Sequence, residues 1–203
     1  MSINVCNDRS MASITSLPSG VSGSSLVLLE TQTLSSAAAT VSFTSNIDST
    51  YKEYQVHYVD VHPEDNNTPF SVNFRPSGGS YSVAKQTTCF TAYHNESDST
   101  TSLEYETSSD LANGVGFQAL VGGGGTGNGN DESVSGILQL YDPSSTTFVK
   151  HFLSESNHYH NSDYSAVFYV QGYCNTTTAI DAIQFKFADG NIDAGIFKLY
   201  GVA

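Results

Sequence analysis

The sequence predicts an all-β fold: a single antiparallel β-sandwich, jelly-roll-like, with an extended N-terminal arm. Three observations predict it. Apolar residues recur at alternate positions in short segments, as where Ile183, Phe185 and Phe187 alternate with Gln184 and Lys186; this is the period of a half-buried strand. Those segments are separated by Gly, Pro, Asn and Asp, the residues of turns. The chain of 203 residues holds 12 Tyr and 11 Phe, while only 13% of its residues are charged, a balance that favours strands over helices.

The elements follow in order. Residues 1–24 are rich in Ser, Gly and Asn and include Pro18, so they read as a flexible docking arm, with the sandwich domain over 25–203. Met11-Ala12-Ser13 also offers a second translation start within the arm. Strands are predicted at 26–33, 39–44 and 53–62, the last stopped by Pro63. Further strands are predicted at 70–75, stopped by Pro76-Ser77-Gly78-Gly79, and at 83–93. The segment 102–106 is weaker. Strands at 116–121 and 134–141 flank a glycine run, and 147–153 and 166–173 follow. The last two strands carry Ile183, Phe185 and Phe187, then Phe197 and Leu199 around Lys198. Ala188-Asp189-Gly190-Asn191 lies between them and reads as a hairpin turn. Residues 108–114 suggest one short helical turn. The longest loops are expected at 64–69, 95–101, 122–132 and 154–163, and long loops are where binding usually resides.

Charge and cysteine content exclude whole classes of function. A formal net charge of -13 repels phosphate backbones and anionic lipid, so neither nucleic acid nor membrane is an expected partner. Cys6, Cys89 and Cys174 are too far apart for a metal knuckle, and a Cys89–Cys174 disulfide stays open. No apolar run approaches membrane-spanning length and none follows a basic start, so a soluble chain made in a cytoplasm is expected.

Motifs for chemistry are sparse. The run from Gly122 to Asn130 lacks the lysine and the following helix of a phosphate-cradling loop. It also stands as a single copy, unlike tandem calcium-binding repeats. It reads as a flexible surface loop. His158-Tyr159-His160 would place two imidazoles on one strand face, with Asp163 and His94 available on paper as further metal ligands. The stretch 156–165 reads as loop, however, and no metal or other cofactor is expected. No nucleophile elbow is present, and no carboxylate pair stands out for glycoside cleavage, so no catalytic residue is assigned. A glycan-binding loop is the better functional reading of this region, set against a plain polar surface loop beside a strand on which Tyr169 and Tyr173 simply pack. His158, Tyr159, His160 and Tyr164 would supply ring faces and hydrogen-bonding groups, with Asn157 and Asn161 adding amides.

Several segments resemble small virion proteins of tailed bacteriophages, especially cyanophage-like phages of marine and aquatic bacteria. They are Asp48 to Tyr54, Val61-His62-Pro63, Ser135 to Tyr141, Pro143 to Lys150, and Ile180 through Gly201. The resemblance spans roughly residues 25–203. It implies a non-enzymatic β-sandwich on the virion exterior, assembled in the host cytoplasm, with a tail- or fibre-associated host-attachment role or a capsid decoration role. It further implies docking on other virion proteins through the arm, a symmetric homo-oligomer such as a homotrimer, and a host surface glycan as a candidate ligand.

Overall fold

The computed structural model describes residues 25–122 and 124–203. The predicted arm, with Cys6 and Met11, lies outside the described residues. The described chain is all-β. Its strands are β1 (Leu26–Thr33), β2 (Val41–Phe43), β3 (Glu53–Pro63), β4 (Phe70–Pro76) and β5 (Lys85–Asn95). Then come β6 (Thr101–Tyr105), β7 (Ala112–Gly114), β8 (Gln118–Ala119) and β9 (Val134–Tyr141). The last four are β10 (Lys150–His160), β11 (Tyr164–Cys174), β12 (Ile180–Phe187) and β13 (Ile192–Val202).

Two antiparallel sheets stack as a sandwich. The large sheet runs β1-β13-β3-β9-β10-β11-β5-β6, with β7 also paired to β5. The small sheet runs β2-β12-β4-β8. Between them lies a layer of aromatic rings. Phe70 and Phe185 stack with centroids 5.7 Å apart, and Tyr58 and Phe197 close around them. Phe74 of the small sheet meets Phe152 of the large one at 4.9 Å. Each ring so buried contributes roughly 1.5–3 kcal/mol of transfer free energy.

The structure corrects four expectations. Residues 188–191 do reverse the chain, but β12 and β13 do not pair. β12 bonds to β2 and β4, whereas β13 bonds to β1 and β3. The reversal is an arch from one sheet to the other, and it sets Phe185 and Phe197 face to face across the core at 5.5 Å. Turn residues specify a reversal of direction; they do not specify whether the backbone ladders on both sides belong together.

Residues 154–163 are not a long loop. β10 and β11 pair without interruption from Lys150↔Cys174 to His160↔Tyr164, and only Asn161, Ser162 and Asp163 turn between them. The inward positions of β10 after Phe152 are Ser154, Ser156 and His158, all buried. A polar inner face hides the alternation that marks a strand. The two serines are buried because Tyr58 brings a hydroxyl to them, at 3.0 Å from Ser154 Oγ and 2.6 Å from Ser156 Oγ.

The glycine run is packed over its second half. Gly125, Thr126 and Gly127 are buried. Thr126 bridges Thr68, just before β4, and His160, at the end of β10, so it stitches the small sheet to the large one. Gly125 passes so close to the Thr68 backbone that an added Cβ would sit 2.1 Å from its nitrogen. Residues 108–114 form a turn and then β7 in place of a helical turn.

Candidate functional site

Because the small sheet has fewer strands, the β5–β6 end of the large sheet extends past it. There the inward faces of β11, β5 and β6 form a cleft of about 320 Å³ beside the start of the glycine run. His160, Tyr164 and Tyr93 supply its aromatic wall. The Tyr164 ring stands edge-on to His160 at 5.4 Å and to Tyr93 at 5.4 Å. Glu104 and Glu106 line the opposite side, with Thr91 and Ser162 adding hydroxyls. The register explains the convergence: His160 pairs with Tyr164, Thr91 pairs with Glu104, and Tyr93 lies two residues beyond Thr91 on the same face. The Glu106 carboxylate is oriented by the Ser108 hydroxyl, which donates to it at 2.6 Å.

The four residues expected to contact a glycan are divided by this geometry. His160 and Tyr164 line the cleft. His158 shares their face but is 1% exposed, behind His160 at a ring distance of 6.0 Å. Its ring nitrogens find no well-formed hydrogen bond, and the Ala166 backbone compensates only in part. Burial, aided by the charge of His160, pushes its pKa down to about 3, so it packs as a neutral ring. Tyr159 points to the outer face. Its hydroxyl donates to Glu96 Oε1 at 2.9 Å, and this bond is the main cause of a phenol pKa pushed up to about 12. Tyr93, Glu104 and Glu106 were not singled out from sequence. The available signal was the alternation Glu104-Tyr105-Glu106 on a short, weakly patterned strand.

The other sequence candidates lie apart. His94 bonds Asp98 at 2.9 Å, and Asp163 takes a 3.4 Å bond from Tyr159. Among the described residues there is no group of three or more His, Cys, Asp or Glu side chains arranged for a metal. Cys89 and Cys174 are free and buried, their thiols pushed up to about 11 and 12 by burial. Cys174 lies between two buried lysines in one cross-strand row, Lys150↔Cys174↔Lys85. Lys85 Nζ donates to Asn73 Oδ1 at 2.7 Å and to the Val83 carbonyl at 2.8 Å, joining the two sheets.

Chemically, the cleft offers two carboxylates, an imidazole, hydroxyls and tyrosine rings within one small volume. Such a set accepts and donates hydrogen bonds to vicinal hydroxyl groups and offers ring surface to the C–H face of a sugar. Comparison with family models, with curated proteins and with solved structures finds no match for this chain.

Proposed function

We propose that the chain is a non-enzymatic structural protein of a tailed-phage virion, displayed on its exterior in a tail- or fibre-associated attachment role. The observation that carries this reading is where the resembling segments fall. Those at 53–54, 61–63, 135–141 and 196–201 lie in β3, β9 and β13, three adjacent strands of the large sheet. The segment beginning at Ile180 lies in β12, which faces them across the core. The segment 143–150 leads from β9 into β10, so most of the likeness falls on adjoining strands. None of these segments supplies a cleft-lining residue, so the cleft at the β5–β6 end is read as a contact surface carried on that frame. In this reading the cleft takes a host surface sugar, with His160 and Tyr164 as its aromatic contacts.

Cryo-electron microscopy of intact particles with quantitative mass spectrometry tests the location. A small copy number at the tail is expected. Copies covering the head lattice would replace attachment with capsid decoration, and absence from particles would sink the virion reading. Purified chain is also expected to compete with phage for adsorption, and Tyr164→Ala to lose that competition.

A further inference from the structure

Among the described residues no layer covers the outer face of the large sheet, and its surface is unlike that of the rest of the described chain. Nine large apolar side chains are exposed among the described residues, and seven of them lie on this face. They are Leu103 and Tyr105 on β6, Phe90 on β5, Ile137 on β9, Val59 on β3, and Leu26 and Leu28 on β1. Leu103 is 73% exposed and Leu28 54%. The ladder registers place five of them, Leu28, Ile137, Phe90, Tyr105 and Leu103, in three neighbouring cross-strand rows, while Leu26 stands in the row of Val202 and Glu53. One row runs Lys198, His57, Ile137, Glu155, Tyr169, Phe90, Tyr105. The next on one side runs from Leu28 through Tyr200, Gln55, Gln139, Leu153 and Gln171 to Thr88. On the other side Asn157, Val167, Ala92 and Leu103 align. In a chain of net charge -13, these rows hold two charged residues of opposite sign, Lys198 and Glu155.

We infer that this face is a homotypic interface, on which a second copy of the chain packs sheet against sheet about a two-fold axis. Three arguments select a second copy. Two molecules of this charge repel through their acidic surfaces, but the three central rows of this face carry one charge of each sign, with Glu53 and Asp60 at their margin. The face is large enough. Eight strands spaced ~4.8 Å apart, with the longest of 11 residues, present on the order of 1,000 Å². A stable interface needs about 800 Å² per partner. The chemistry also suits it, since contiguous exposed Phe, Tyr, Leu and Ile mark protein contact surfaces. A shallow trough of about 460 Å³ between Ile137, Leu153 and Tyr169 gives the opposing side chains a recess. Two apposed sheet faces close the assembly at two copies, in contrast to the trimer implied by the resemblance. The inference goes beyond the proposed function and stands whether or not the chain is a virion part.

The test is sedimentation equilibrium of the full chain across the micromolar range. A dimer is expected. Ile137→Asp and Phe90→Asp, both at exposed positions, are expected to weaken it by at least about tenfold each. Phe148→Asp is the control, because Phe148 is 70% exposed in the β9–β10 connection, off this face. Circular dichroism confirms that the variants fold. Hydroxyl-radical footprinting of the unmodified chain provides a readout that needs no variant: Ile137, Phe90 and Tyr105 should lose reactivity as concentration rises. A monomer at every concentration, or an oligomer as tight in Ile137→Asp as in the original chain, overturns the inference. So does a footprint that appears only when an oligosaccharide is added, which would assign the trough to a glycan.

Discussion

His62 stands between two acceptors. Its Nδ1 lies 2.7 Å from Asp193 Oδ1, and its Nε2 lies 3.0 Å from the Gly129 carbonyl. Both contacts are hydrogen bonds only when both ring nitrogens carry protons, so the geometry selects the imidazolium. Burial opposes that charge, but the Gly129 carbonyl and the Asp193 carboxylate outweigh it and raise the pKa above the ordinary 6.5. A folded-state pKa raised above the unfolded value gives stability that is complete below the unfolded pKa. That stability is lost as pH rises through the folded pKa. Chemical denaturation at pH 5.5 and pH 8 should therefore show a drop of about 1 kcal/mol or less at the higher pH, because the pair is partly exposed. His62→Gln should remove most of this difference, and an unchanged pH dependence in that variant would refute the assignment. At Gly125 the constraint is steric. An added methyl meets the Thr68 nitrogen at 2.1 Å and the Asn67 carbonyl carbon at 2.3 Å, and backbone cannot swing aside. Gly125→Ala should cost about 1–3 kcal/mol in denaturant titrations. Gly116→Ala, whose Cβ would meet nothing within 4 Å, should stay within about 0.5 kcal/mol of the original. Equal effects would mean that the glycine run is not seated against Thr68.

The strand pair β10–β11 shows what a sequence pattern can carry and what it omits. Most strands announced themselves, because Tyr54, Val56 and Tyr58, or Phe70, Val72 and Phe74, put apolar groups on the core face at every second position. In β10 the core face continues as Ser154, Ser156 and His158. Its polarity makes sense only with Tyr58, 96 residues away from Ser154 in sequence, delivering the shared hydroxyl. Burial with low dielectric pushes that phenol up to about 12, and the serine bonds keep it satisfied. The same long-range dependence hid the cleft: Glu104 and Glu106 gain meaning only through pairing with β5, and Tyr93 only by standing beside Tyr164. Hydrogen exchange provides a direct check on the element. β10 is paired on both sides, to β9 and to β11, so amides from 152 to 158 should exchange as slowly as those of β3. Exchange at loop rates over 154–158 would show that the hairpin does not persist in solution.

At the scale of the molecule, the fold class was legible because it is a property of composition and period, and both are local. The topology was not. Whether the arch at 188–191 joins two strands of one sheet or two sheets depends on which edges were already occupied. β13 is held between β1 and β3, and β12 between β2 and β4. The unequal sheets then decide where the exposed features lie. The surplus strands of the large sheet leave the end cleft on its inner side. Among the described residues no third layer covers the apolar rows on its outer side. Those rows were invisible in a strand-by-strand reading, where Phe90, Leu103 and Ile137 each looked like one more alternating apolar residue. They gather into a patch only when the register aligns β6, β5, β11, β10 and β9.

One ladder described above has a mechanical consequence. β1 and β13 run antiparallel at the edge of the large sheet, with Leu26 opposite Val202 and the Ala203 amide donating to the Ser25 carbonyl at 3.0 Å. Residues 25 and 203 are therefore neighbours in space. A tensile load applied between them acts across the ladder and parts its hydrogen bonds one rung at a time, beginning at that corner. A load applied along the strands would have to shear many rungs together. Pulled from this corner the molecule yields gradually like a zip, whereas a force entering through the middle of β3 or β10 meets the full resistance of the sheet.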